Sequence, residues 1–62
     1  MEFRLTINLD NAEARWEDGS LNEQALRGYI EQASRKAYDD HVSGVIIDGN
    51  GNKIGEYATW ND

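Results

Sequence analysis

"SGVIIDGNGNKIGEYATW", residues Ser43 to Trp60, is the stretch on which the fold turns. Inside it Asp48, Asn50 and Asn52 alternate with glycines, a pattern shared by the first ligands of a calcium loop between helices and by a tight turn between strands. An EF-hand loop needs glycine at its sixth position and a bidentate glutamate at its twelfth. Here those positions hold Lys53 and Thr59. The flanks "SGVIID" and "KIGEYATW" are rich in β-branched and aromatic residues, as strands are. The stretch therefore predicts a hairpin whose Gly and Asn residues supply positive φ angles, and no metal site is expected. Two registers fit: a two-residue Asn50-Gly51 turn pairs Ile47 with Ile54, and a three-residue turn with a bulge puts Val45 beside Tyr57.

Working outward, "FRLTINL" (residues 3–9) alternates strictly, with Phe3, Leu5, Ile7 and Leu9 on one side and Arg4, Thr6 and Asn8 on the other. That is the period of a half-buried strand. In the next stretch, Asp10 is expected to cap a short helical turn with Glu13 reaching back to it, and Trp16 to close one end of the core. Gly19 ends this stretch, and Ser20 with Glu23 forms a Ser-x-x-Glu capping box that opens a longer helix. Leu26, Tyr29, Ile30, Ala33 and Ala37 fall within an arc of roughly 100°, the width of a core-facing stripe. The helix is expected to end near residue 40, where the apolar pattern fails.

The element order is thus strand, helix, strand, strand in a single domain, residues 1–62. A helix of about 20 residues is roughly 30 Å long and can run back along the first strand, making the first two strands parallel with a right-handed crossover. Placing the third strand between them makes each neighbouring pair antiparallel. The expected class is α+β: a three-stranded sheet of order 1-3-2 with one amphipathic helix on one face.

Twelve acidic residues against six basic ones give a formal charge of −6, which repels a phosphate backbone, so direct nucleic-acid binding is not expected. The absence of cysteine removes disulfides, thiolate metal sites and a thiol nucleophile, and favours a reducing, cytoplasmic setting. No apolar run is long enough to span a bilayer as a helix.

Catalysis finds little support. His41 is the only imidazole, and Ser34 lies seven residues before it, roughly 10 Å away along a helix and outside hydrogen-bond reach. The acidic pairs Glu17-Asp18 and Asp39-Asp40 read as solvated surface. No enzyme activity, catalytic residue or cofactor is expected.

The charge pattern says more. Glu23, Arg27, Glu31, Arg35 and Asp39 follow at four-residue intervals and nearly neutralise one another. Asp10, Glu13, Glu17 and Asp18 stand against Arg15 alone. Among the aromatics, Tyr57, Trp60 and Tyr38 should include at least one exposed side chain, because one helix covers one sheet face. The candidate partner-binding residues are therefore Asp10, Glu13, Trp16, Glu17, Asp18, Tyr57 and Trp60, facing a protein that is itself basic or nucleic-acid-binding. One version is an inhibitor presenting carboxylates in place of phosphates. The alternative is a homodimer or assembly component that uses the open sheet face or an edge strand.

With "INLDNAEARWEDG" (7–19), the amphipathic helix and "DGNGNKIGEYATW" (48–60), the chain resembles small accessory proteins of bacteriophages and prophages that carry Leu-Asp-Asn-Ala and Asp-x-Asn-Gly-Asn-x-x-Gly patterns. It departs from them in the extra residues between Ala12 and Trp16. The resemblance implies a phage or mobile-element accessory role and assigns no catalytic residue.

Overall fold

The computed structural model describes residues 1–38 and 42–60. Strand β1 (Glu2–Ile7) leads through a short 3-10 turn (Ala12–Ala14) to helix α1 (Glu23–Tyr38), followed by strands β2 (Ser43–Ile47) and β3 (Lys53–Trp60). The sheet order is β1-β3-β2, with both neighbouring pairs antiparallel. This is the α+β arrangement that the strand and helix periods predict.

The core sits between α1 and the β2–β3 hairpin. Ala14, Tyr29, Ala33, Ile46, Ile54 and Tyr57 are its buried residues, with Leu5, Ile7, Leu9, Ala25 and Ala37 packed around them. Helix α1 rests on β2 and β3 and scarcely reaches β1. Phe3 therefore stays 47% exposed although it lies on the helix side and stacks on Tyr57 with 6.0 Å between ring centroids. Ile30, at the margin of the apolar arc, is likewise half exposed.

The hairpin combines features of the two predicted forms. The loop has the three-residue form, with Asp48 and Asn52 hydrogen-bonded across Gly49, Asn50 and Gly51, the last at φ +83°. A bulge beyond Ile47 and Lys53 then resets the pairing, so that Ile46 faces Gly55 and Val45 faces Glu56. The strand register beyond the bulge is the one a two-residue turn implies. Burial explains the compromise: the extra residue lets both Ile46 and Ile54 turn into the core.

Both helix caps also differ from expectation. Asn22 caps α1, its Oδ1 accepting from the amides of Gln24 (3.1 Å) and Ala25 (3.2 Å). Ser20 turns back instead, donating its N–H and hydroxyl to Asp18. Asn11, one residue beyond Asp10, caps the 3-10 turn by accepting from the Ala14 amide. The helix is described to Tyr38, so its expected end near residue 40 and the expectations for Asp39, Asp40 and His41 lie outside the described residues.

Candidate functional site

Segment 10–21 makes no regular element of the sheet, yet its backbone is held firmly. The amide of Trp16 donates to the Ser20 carbonyl (2.8 Å), and that of Gly19 to the Trp16 carbonyl (2.9 Å). Arg15 pairs with Leu21 in an isolated bridge. Gly19 takes φ +87°, closing a turn whose tip is Glu17-Asp18.

The Arg15 side chain fastens this turn to the end of the first strand. Its Nε donates to the Leu9 carbonyl (3.0 Å), Nη1 to the Gly19 carbonyl (2.9 Å), and Nη2 pairs with Asp10 (3.3 Å). A planar guanidinium suits this work because its donors point in fixed directions. Asp18 Oδ1 accepts from the Ser20 hydroxyl (2.6 Å) and amide (2.9 Å), which together hold the Asp18 carboxyl below the usual carboxylate range. Trp16 is 48% exposed beside Glu17 and Asp18, so it does not close the core; the small Ala14 takes that buried position.

Glu13 behaves differently from the other acids of this segment. It turns inward, accepting from the Tyr29 hydroxyl (2.7 Å) and from the Gly49 amide (2.9 Å), and so ties the 3-10 turn to both α1 and the hairpin loop. Burial, and then Glu13, push the Tyr29 phenol up to about 12. Glu13 is thus a tie within the fold, with both carboxylate oxygens already engaged by internal donors. Nearby, Asp48 Oδ1 accepts from the amides of Asn50 and Asn52 (2.9 Å each). The Asn52 amide, helped by that of Asn50, holds the Asp48 carboxyl low against the opposing pull of burial. Its lone pairs serve the turn backbone, where the calcium reading needs them for a cation.

Tyr57 is 2% exposed, buried between Phe3 and α1 over the Cβ-less Gly44, and is therefore also withdrawn from the partner-binding set. It points to the helix side because it pairs with Leu5 and Gly44 on the core face of the sheet. Trp60 points to the other face, 47% exposed, with the Arg4 guanidinium 5.1 Å from its ring centroid. Arg4 also pairs with Glu2 at 3.1 Å. Trp60 stands opposite Glu2, at the start of β1, whereas the Trp16 turn follows the strand's other end. The structure gathers Asp10, Trp16, Glu17 and Asp18 in one turn and leaves Trp60 apart from them. Of the helix charge row, Glu31–Arg35 is the pair that closes among the described residues, at 2.6 Å.

Three residues that matter to this geometry escaped sequence reading: Arg15, Asn22 and Gln32. Gln32 binds both the N–H and the C=O of Ile47 at the outer edge of β2. Asn22 followed three positions later by Ala25 carries a weak capping signal; Arg15 acts on carbonyls and a carboxylate four to six residues away and Gln32 across the fold, and neither position carries a sequence signal.

No family model matches this chain, and neither a curated protein nor a solved structure is similar enough to match it. No described helix is long and apolar enough to cross a membrane.

Proposed function

We propose that this chain is a non-enzymatic protein-interaction module whose contact surface is the acidic turn Trp16–Asp18. The observation that carries the reading is Arg15. It makes three polar contacts to hold in place a turn whose tip side chains face solvent. A turn fixed in this way loses little conformational freedom on binding, and a half-exposed Trp beside carboxylates is the kind of anchor that dominates interfaces. The complementary partner is a protein with a basic surface.

The phosphate-mimicking version of this function has weaker support. Glu13 faces inward, and Asp10 and Asp18 each already have an internal partner, leaving Glu17 as the acid least engaged. A cytoplasmic setting fits the lack of cysteine, and an accessory role in a phage rests on the resemblance of the two end motifs.

The test is affinity capture with the wild-type chain, Trp16→Ala and Glu17→Ala at low and high salt. The partner should be lost with Trp16→Ala, a drop of about 2 kcal/mol or roughly 30-fold in affinity, and should be released from wild type by salt. A partner held equally by wild type and Trp16→Ala would sink this reading.

A further inference from the structure

The two outer edges of the sheet are treated differently. In an antiparallel ladder, residues that hydrogen-bond to the neighbouring strand alternate with residues whose N–H and C=O point away from it. Asn8 donates to the Ile54 carbonyl (2.7 Å), so the even-numbered residues of β1 face β3. The backbone groups of Phe3, Leu5 and Ile7 accordingly face outward, and no described residue hydrogen-bonds to them. The strand has no proline, no bulge and no inward-pointing charge, and its two charged residues, Glu2 and Arg4, pair with each other at 3.1 Å.

We propose that β1 is the seam of a homodimer, in which two copies pair antiparallel about a two-fold axis through Leu5 and continue one sheet into the other. Leu5 then faces Leu5 of the partner subunit, and Phe3 faces Ile7 of the partner subunit. The outward N–H and C=O groups of all three residues find partners. Arg4 lies opposite Thr6 of the partner subunit and Glu2 opposite Asn8 of the partner subunit, so no like charges meet directly.

Neighbouring registers are worse. An axis through Arg4 stacks the two arginines, and an axis through Thr6 sets Glu2 against Asp10 of the partner subunit.

Charge and shape favour a second copy as the occupant. Glu2 and Arg4 cancel, making β1 a neutral strand in a chain of charge −6. Two acidic chains can meet there without direct repulsion. Because α1 lies over β2 and β3, the half-exposed Phe3 has room to pack on the partner subunit's Ile7. This seam is separate from the Trp16–Asp18 turn and responds oppositely to salt: screening of the overall −6 strengthens the dimer, whereas it weakens a bond between acidic and basic surfaces.

The test is the solution mass of the full chain, made by chemical synthesis, with and without N-methylation of the Leu5 amide. That change removes one outward donor and leaves the ladder to β3 intact. Wild type should sediment at twice the 7.0 kDa chain mass, more completely at high salt. The Leu5 N-methyl chain should be monomeric and keep its circular dichroism, and an N-methyl group on Val45, at the opposite edge, should leave the dimer in place. Amide exchange at Phe3, Leu5 and Ile7 of wild type should slow with rising concentration, an outcome that does not depend on the modified chains folding. A wild-type monomer at high concentration and high salt, or a Leu5 N-methyl chain that still dimerises, overturns the proposal.

Discussion

The outer edges of β2 and β1 belong to one small sheet, yet the first is closed and the second bare. Beside β2, Gln32 of α1 bonds both backbone groups of Ile47 and the Lys36 ammonium bonds the Val45 carbonyl at 2.8 Å. The bulge near Ile47 and the Glu13 tie to Gly49 further restrain that side. Beside β1, among the described residues, there is no helix, no bulge and no capping side chain. The lesson is that a single helix cannot guard both edges of the sheet it covers. Placing α1 over the hairpin protects β2 and leaves Phe3, Leu5 and Ile7 available.

The largest way to break this asymmetry is to force β1 away from the sheet. A Cβ on Gly55 would collide with the Thr6 carbonyl and the Ile7 Cα, both backbone atoms that cannot rotate aside. Gly55→Ala is expected to cost about 3 kcal/mol, near the upper end for overpacking, and to lower the urea midpoint sharply. An unchanged midpoint would mean that β1 is held less closely than the ladder indicates.

A smaller loss should follow from cutting the tie on the closed side. Tyr29→Phe removes a buried hydroxyl bonded to a carboxylate, at about 1.5–3 kcal/mol near neutral pH. Its pH dependence has a definite sign. The folded phenol sits at about 12, above the ordinary value of 10.0, so its contribution is complete below about pH 10 and disappears as the pH rises toward 12. Wild type should lose stability over that range by a margin that Tyr29→Phe lacks, as urea titrations at successive pH values would show.

Gln32→Ala sharpens the comparison directly, since it leaves the Ile47 groups to water at a cost of about 1 kcal/mol. Ile47 amide exchange should accelerate while that of β1 stays as it was; equal rates before and after would deny Gln32 its capping role. Gly28→Ala should have the smallest effect. Gly28 lies on the exposed side of α1 with nothing within reach of an added Cβ, so alanine should stabilise the helix by about 0.5 kcal/mol and raise Tm.

Much of this architecture is legible in the residues. Alternation in "FRLTINL", the turn chemistry of "DGNGN" and the arc through Tyr29 and Ala33 each follow from the geometry of a single element, and they suffice for strand order and class. The candidate site was legible in part. Trp16, Glu17 and Asp18 sit together because they are adjacent in the chain, while Glu13, half-buried, is engaged by Tyr29 and Gly49 and Tyr57 is buried.

The sequence by itself determined which segments are strands, which is the helix and where the chain turns, because backbone periods and turn residues act over a few positions. Only the tertiary structure decided which cap is used, which acid turns inward, how the bulge resets the hairpin, and which edge is closed. Those outcomes depend on where α1 comes to rest across the sheet. That position is set by packing Tyr29 and Ala33 against Ile46, Ile54 and Tyr57, residues distant in the chain whose fit no local pattern encodes.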